Sequence, residues 1–228
     1  MQVPERLRAL VLDLDGLLID SEIWSWQAHN TVLASYGFAP LAVDEIRAMV
    51  GLIGADEWNQ LRAKRALPDV RSQYEAAHKD EYLRLRDARL APMPGVADLV
   101  QAASSLGLRL ALASNSPLYS VRDTLRPIGL LDCFAVLATG DQVARTKPAP
   151  DAYLMALQLL GVPAGCALAI EDSAVGFQAA SAAGIACVVV PNEVTAAQDF
   201  TAAYGRFHNL SDVAKWLGGG TSAGQPST

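Results

Sequence analysis

The chain has 228 residues, of which 51% are hydrophobic, and it carries a formal net charge of -6. This length and composition allow a large core, either in one domain or in two smaller ones. The acidic balance excludes nucleic acid as an expected partner, because binding to a phosphate backbone relies on clustered lysine and arginine. No apolar run reaches the ~18 residues of a membrane span, and the N-terminus has no apolar signal segment. We therefore expect no membrane partner and a cytoplasmic protein.

The first element in chain order is an apolar run that ends in Asp13 and Asp15 and is followed by Gly16. Its composition is typical of a strand buried on both faces of a parallel sheet, where chemistry collects at the carboxyl ends of the strands. The two acids alternate along the strand, so their side chains share one direction. Close carboxylates repel each other unless a cation lies between them or one holds a proton. The pair predicts a divalent metal or an acid–base pair, and a simple turn after the strand is the structural alternative.

Residues 21–91 predict helices only, with apolar positions at helical spacing in 22–36, 43–50, 56–66 and 70–90. A proline-rich segment at 91–95 ends this insertion. We expect a small helical cap domain over 21–91, placed as a lid between the two parts of a core at 1–20 and 92–217. The Gly-, Ser- and Thr-rich segment 218–228 predicts a flexible tail.

After residue 95 the pattern alternates between helix and strand. Helices are predicted at 96–106, 120–125, 152–160, 174–183 and 211–217, and strands at 108–114, 134–138, 167–172, 185–191 and 205–208. This alternation is typical of right-handed crossovers and a mostly parallel sheet. The sequence therefore predicts a doubly wound α/β core with the helical domain inserted after its first strand.

Three polar residues near the ends of the second and third core strands suit the binding of a phosphoryl group. Ser114 offers a hydroxyl, and Asn115 starts a turn toward a helix, where backbone N–H groups bind anions. Lys147 offers a positive charge in a loop restricted by two prolines. Each of these residues alone could be a helix cap or a surface group.

Glu171 and Asp172 end the fourth core strand. With Asp13 they provide hard oxygen ligands, which suit Mg²⁺ better than a softer metal. Alone, they could cap the helix that follows. The occurrence of polar residues at successive strand ends, in this order, favours one site that handles a phosphoryl group.

Four motifs together resemble those of the haloacid dehalogenase-like (HAD) hydrolase superfamily. They are Asp13-x-Asp15-Gly16, Ser114-Asn115, Lys147-Pro148-x-Pro150 and Glu171-Asp172-Ser173. The helical insertion resembles the subgroup with a helical cap, and the chain is most similar there to sugar-phosphate phosphatases, 2-deoxyglucose-6-phosphate phosphatases and β-phosphoglucomutases. The resemblance implies a Rossmann-like core with a cap and a small phosphorylated molecule as substrate.

The resemblance also implies a mechanism through an aspartyl phosphate. Asp13 is the expected nucleophile, and Asp15 is the expected acid and then base. A halide leaves without a proton, so the second acid favours phosphoryl transfer over dehalogenation. The resemblance assigns phosphate binding to Ser114, the Asn115 N–H and Lys147, and Mg²⁺ binding to Asp13, the Asp15 carbonyl, Glu171 and Asp172. It also makes the Lys147–Pro148 bond a candidate cis peptide.

Two alternatives to the phosphatase remain, which are a phosphosugar mutase and a non-catalytic phosphate-binding module. Mutase members carry a His and an Arg where this chain has Ser25 and Gly54, so transfer to water is favoured. Trp24 and Trp58 are either part of the cap core or substrate contacts. The segment 51–54 is expected to be flexible and to lie where a cap meets substrate. The three histidines have no partner spacing, and the three cysteines predict reduced core residues.

Overall fold

The computed structural model describes residues 2–4, 6–49 and 55–219. The predicted flexible segment 51–54 and residues 220–228 of the predicted tail lie outside these ranges. The chain divides into two compact units, which are Met1–Ile19 with Ala91–Thr228, and Asp20–Leu90. We refer to the first as the α/β unit and to the second as the helical unit.

The α/β unit contains a parallel sheet. Its strands are β1 (Ala9–Leu12), β2 (Arg109–Ser114), β3 (Val136–Thr139), β4 (Ala167–Glu171), β5 (Ala186–Val189) and β6 (Gly205–Arg206). Their order in the described residues is β3-β2-β1-β4-β5-β6, and Leu12 of β1 pairs with Leu112 on one side and Ile170 on the other. The carboxyl ends of β2, β1 and β4 are therefore adjacent, at the point where the strand order reverses. In open α/β sheets this point is where ligands bind.

Helices cover both faces of the sheet. They are α5 (Val96–Ser105), α6 (Leu118–Leu125), α7 (Asp151–Leu160), α8 (Ala174–Ala182) and α9 (Leu210–Leu217). Ala9 and Val11 pack in one core with residues of α7 and α8. Leu10 and Leu12 alternate to the opposite face and are also fully buried. The predicted doubly wound parallel sheet with a helical insertion is confirmed.

The structure differs from the sequence predictions at the ends of elements and in the burial of two cysteines. The strand predicted at 134–138 begins only at Val136, because a short 3₁₀ helix at Leu131–Cys133 precedes it. Cys133 and Cys166 both lie in such 3₁₀ turns before strands, so they are half-buried, whereas Cys187 is buried as expected. All three cysteines are free, as predicted.

The helical unit consists of α1 (Ser21–Ser35), α2 (Val43–Arg47), α3 (Ala55–Arg65) and α4 (Arg71–Arg89) in the described residues. Trp24 and Trp58 are only 3% and 5% exposed, and the Trp58 ring lies 5.4 Å from that of Tyr74. Both tryptophans are therefore core residues of this unit. Across the described part of the chain, no helix combines the length and apolar character needed to cross a membrane.

A stacked histidine pair, which the sequence did not predict, lies inside the helical unit. His29 is 2% exposed, and its ring nitrogens lie 3.0 Å from the Tyr74 hydroxyl and 3.1 Å from Glu57 Oε1. The ring of His78 stacks on His29 at 3.9 Å between centroids, and His78 Nε2 lies 3.2 Å from the Ser25 carbonyl oxygen. These contacts link α1, α3 and α4.

This pair predicts an acid-sensitive helical unit. Burial, and then the charge of His29, lower the pKa of His78 to about 4, whereas Glu57 and the Ser25 carbonyl act in the opposite direction. A histidine in the unfolded chain titrates near ~6.5. Between these values the unfolded chain binds a proton that the folded chain does not, so stability falls as pH drops from ~6.5 toward ~4. The expected loss is on the order of 1 kcal/mol, because the ring is partly exposed.

We expect His78→Gln to reduce this pH dependence, and His208→Gln, at an exposed position, to leave it unchanged. Urea unfolding at about pH 7 and about pH 5, followed by tryptophan fluorescence, measures the difference. Trp24, Trp26 and Trp58 lie in the helical unit, so the signal reports mainly on that unit. Equal pH dependence in the wild type and His78→Gln would contradict the prediction.

Candidate active site

The first acid of the site is fixed by the pairing of β1 with β4. The Asp13 N–H donates to the Ile170 carbonyl at 3.2 Å, which extends the strand pairing by one residue and brings Asp13 beside Glu171. Gly16 then turns the chain with a φ of +79°. A Cβ at Gly16 would also collide with the Asp172 carboxylate and the Asn192 amide. Position 16 therefore requires glycine for both its backbone conformation and its lack of a side chain.

Three buried carboxylates meet at this edge of the sheet. Among the described residues, the acidic groups close enough to share one cation are Asp13, Glu171 and Asp172, whose ligand atoms lie within 4.8 Å of one another. Glu171 Oε1 accepts a hydrogen bond from the Tyr153 hydroxyl at 2.6 Å, and its Oε2 accepts one from the Asp172 N–H at 3.2 Å. The Glu171 carboxylate is therefore held in one orientation.

Lys147 places its ammonium group between two of these carboxylates. Its Nζ lies 2.5 Å from Asp13 Oδ1 and 2.6 Å from Glu171 Oε1, and it lies 5.0 Å from the centre of the Tyr153 ring. The Asn115 side chain holds the backbone of Lys147, since its Oδ1 accepts from the Lys147 N–H at 2.8 Å. The Lys147–Pro148 peptide bond is cis. The Asn115 side chain thus positions the lysine, which the sequence did not predict.

The site has an excess of negative charge, because Lys147 faces several carboxylates. Burial is the main reason that the pKa of Asp13 is raised, to about 8; the Lys147 charge opposes this rise, and the charges of Glu171 and Asp15 add to it. Burial acts to lower the pKa of Lys147, but the charges of Asp13 and Glu171 outweigh it and raise that pKa. The lysine therefore stays protonated. Buried carboxylate oxygens with uncompensated charge are a donor set that fits a hard divalent cation.

Asp15 is bonded to the turn after β2 and is not one of the three clustered acids. Its Oδ2 accepts hydrogen bonds from the Ser116 hydroxyl at 2.9 Å and from the Ser114 hydroxyl at 3.3 Å. Ser114 is fully buried, and its Oγ accepts from the Ser116 N–H at 3.0 Å. The turn after β2 therefore holds the Asp15 carboxylate next to two hydroxyl groups.

The structure brings the predicted site residues together in the α/β unit. They are Asp13, Asp15, Ser114, Asn115, Lys147, Glu171 and Asp172, and the contacts above join them. Sequence reasoning missed Ser116, Tyr153, Gly176 and Asn192. Asn192 follows β5, so the rule applied to the other strand ends would have found it. A Cβ at Gly176 would overlap the Glu171 carboxylate, which explains the glycine in that helix.

Comparison with known proteins agrees with this geometry. Residues 7–184 match the family model of the haloacid dehalogenase-like hydrolases. The chain is 36% identical over 220 residues to Protein CbbY of Rhodobacter capsulatus, covering 91% of this chain and 96% of that protein. It is 30% identical to a phosphorylated carbohydrates phosphatase of Thermotoga maritima, covering 95% of this chain and 93% of that protein.

A solved structure is also similar. It is a CbbY variant from Rhodobacter sphaeroides in complex with xylulose-(1,5)bisphosphate, with a TM-score of 0.75, 30% identity, and coverage of 90% of this chain and 95% of that one. The match to the family model spans more than half of the chain, and these relatives are aligned over almost their full length. The chain therefore belongs to the haloacid dehalogenase-like hydrolases, and it is an enzyme of the phosphatase type found among its relatives.

Proposed function

We propose that this enzyme is a Mg²⁺-dependent phosphatase that hydrolyses a small phosphorylated metabolite, a sugar phosphate, through an aspartyl phosphate on Asp13. The main support for the proposal is that Asp13 lies beside the Lys147 ammonium and two further carboxylates. Asp15, two residues further along the chain, is held by a hydrogen bond from the Ser116 hydroxyl. The relatives support the substrate class, because one is named a phosphatase of phosphorylated carbohydrates and another binds xylulose bisphosphate.

Asp13, Glu171 and Asp172 are the side chains that would hold Mg²⁺, with the Asp15 carbonyl as a further ligand. Bound there, the ion would supply positive charge that offsets the repulsion between these carboxylates and a phosphate dianion. The three side chains are buried, and each accepts a hydrogen bond from another side chain of the site. The donor set is thus preorganised for a cation.

In the proposed reaction, a carboxylate oxygen of Asp13 attacks phosphorus, and the bond from phosphorus to the leaving oxygen breaks. Asp15 gives its proton to that oxygen. Lys147, the Ser114 hydroxyl and the Asn115 N–H bind the phosphoryl oxygens as charge develops. Asp15 then takes a proton from water, which attacks phosphorus of the acyl phosphate. Inorganic phosphate leaves and the Asp13 carboxylate is restored.

The acid role of Asp15 predicts a dependence on the leaving group. Asp15→Asn is expected to slow release of a sugar alcohol by about 10²–10⁴-fold, because an alkoxide is a poor leaving group without a proton. Release of an activated phenol from an aryl phosphate is expected to slow much less. Single-turnover release of alcohol and of phenol separates this step from later hydrolysis. Equal losses on both substrates would contradict the acid role.

The proposed function is tested by phosphate release across a panel of sugar phosphates, phosphoglycolate and nucleotides, with Mg²⁺ and with chelator. Metal-dependent release confined to sugar phosphates is the expected result. Interconversion of phosphosugar isomers with little phosphate release would instead identify a mutase. Binding of phosphorylated compounds by a folded protein, without turnover of any of them, would identify a binding module.

A further inference from the structure

Asn192, which follows β5, uses the full hydrogen-bonding capacity of its side chain. Its Nδ2 donates to Asp172 Oδ2 at 2.9 Å and to the Gly16 carbonyl at 3.1 Å. Its Oδ1 accepts from the N–H groups of Val194 at 2.9 Å and Thr195 at 3.1 Å. An amide side chain has two donor hydrogens and two acceptor lone pairs, and all four are used here.

The oxygen side of this amide is anchored to a rigid turn. The Asn192 N–H donates to Thr195 Oγ1 at 3.0 Å, and both Val194 and Thr195 are fully buried. The side chain and the backbone of Asn192 are thus bonded to the same turn. This arrangement fixes the direction in which the NH₂ group points, which is toward the acidic cluster.

The nitrogen side of the amide connects two separate segments of the site. Asp172 follows β4, whereas Gly16 belongs to the turn after β1 that also carries Asp15. The contact is tight, because a Cβ at Gly16 would lie only 2.8 Å from Asn192 Nδ2. Asn192 therefore fixes the distance between the Asp172 carboxylate and the turn after β1.

We propose that Asn192 is a positioning residue for the metal, which sets the orientation of Asp172 relative to the turn after β1 and thereby the affinity for Mg²⁺. This inference rests on the proposed function, because it concerns the metal site of that proposal. Residues that orient a metal ligand through hydrogen bonds typically change metal affinity by about 10–100-fold when they are replaced.

The test compares Mn²⁺ binding to chelator-treated wild-type protein and variants, measured from the electron paramagnetic resonance signal of free Mn²⁺. Asn192→Ser is the main variant, because a serine hydroxyl can still accept from the turn N–H groups but is too short to reach Asp172. Asn192→Ala removes both contacts. Asn209→Ala is the control, since Asn209 also accepts from a backbone N–H, that of Asp212 at 2.9 Å, at the start of α9.

We expect both Asn192 variants to bind Mn²⁺ about tenfold or more weakly and Asn209→Ala to bind it like the wild type. Activity of Asn192→Ser is expected to recover as Mg²⁺ is raised to saturation, which a general structural defect would not allow. Wild-type affinity in both Asn192 variants, or equal weakening in Asn209→Ala, would overturn the inference and leave the proposed function intact. Absence of Mn²⁺ binding by the wild-type protein would overturn the proposed metal site itself, and the inference with it.

Discussion

Replacing Asp13 by asparagine is expected to lower phosphate release by about 10⁴-fold or more on every substrate, because the amide cannot serve as the nucleophile. Asparagine has nearly the same shape as aspartate, so the strand end at β1 is not disturbed. Lys147 also contacts Glu171, at 2.6 Å, so the variant is expected to keep that ion pair. The measurement is Mg²⁺-dependent phosphate release from the best substrate of the panel.

The control for Asp13→Asn is the thermal unfolding of the metal-free protein. It is expected to stay close to that of the wild type, because the change removes one carboxylate from a site with excess negative charge. Retention of most of the activity in a folded variant would remove Asp13 as the nucleophile.

Replacing Lys147 by methionine is expected to lower the free energy of unfolding of the metal-free protein by about 3–5 kcal/mol. Methionine fills a similar volume but leaves Asp13 and Glu171 without the ammonium that contacts both of them. Uncompensated buried carboxylates are costly, because they have lost water and gained no opposite charge. Urea unfolding at about pH 9, above the pKa of Asp13, in the presence of chelator measures the loss.

Lys215→Met is the matched control for Lys147→Met. The Lys215 ammonium lies 3.6 Å from Asp212, and its side chain is 74% exposed. Exposed ion pairs contribute about 0–1 kcal/mol, so this variant is expected to be nearly as stable as the wild type. Added Mg²⁺ is expected to offset part of the loss in Lys147→Met and to have no selective effect on Lys215→Met. Equal stability of the two variants would contradict the electrostatic description of the site.

The sheet could be predicted from the sequence because its strands are short apolar runs bounded by glycine and charged residues. The run before Asp13 and the run before Glu171 are buried on both faces. Both runs are therefore apolar throughout, without the alternating polar residues of a strand that has one face in solvent. Element ends were less predictable. They depend on turns such as the 3₁₀ helix at Leu131–Cys133, for which local sequence carries little signal.

Proximity of the site residues followed from topology alone, because the strand ends of a parallel sheet meet at one edge. The topology of the sheet did not, however, predict which groups each side chain contacts. Sequence placed Asp13 and Asp15 on one side of a strand, but it did not show that the Asp15 carboxylate accepts hydrogen bonds from Ser114 and Ser116. The double ion pair of Lys147 was equally hidden, since it depends on where a loop returns to the sheet.

In the helical unit, too, the contacts of the cluster around His29 could not be predicted from the sequence. Tyr74 and His78 are four residues apart on α4, a spacing that places them on one face of a helix. That spacing was visible in the sequence. Their contacts with His29 on α1 and Glu57 on α3 were not visible, because packing between helices determines them.

Chemical trapping shows whether a phosphoryl group is carried on Asp13. Asp15→Asn, mixed with Mg²⁺ and an activated aryl phosphate, is expected to accumulate the acyl phosphate, because its formation needs no acid and its hydrolysis lacks the base. Acid quenching, borohydride reduction and peptide mass spectrometry then locate the modified residue. Reduction at Asp13 is the predicted result. Modification of another residue, or an unmodified protein that still releases phenol, would rule out an aspartyl phosphate on Asp13.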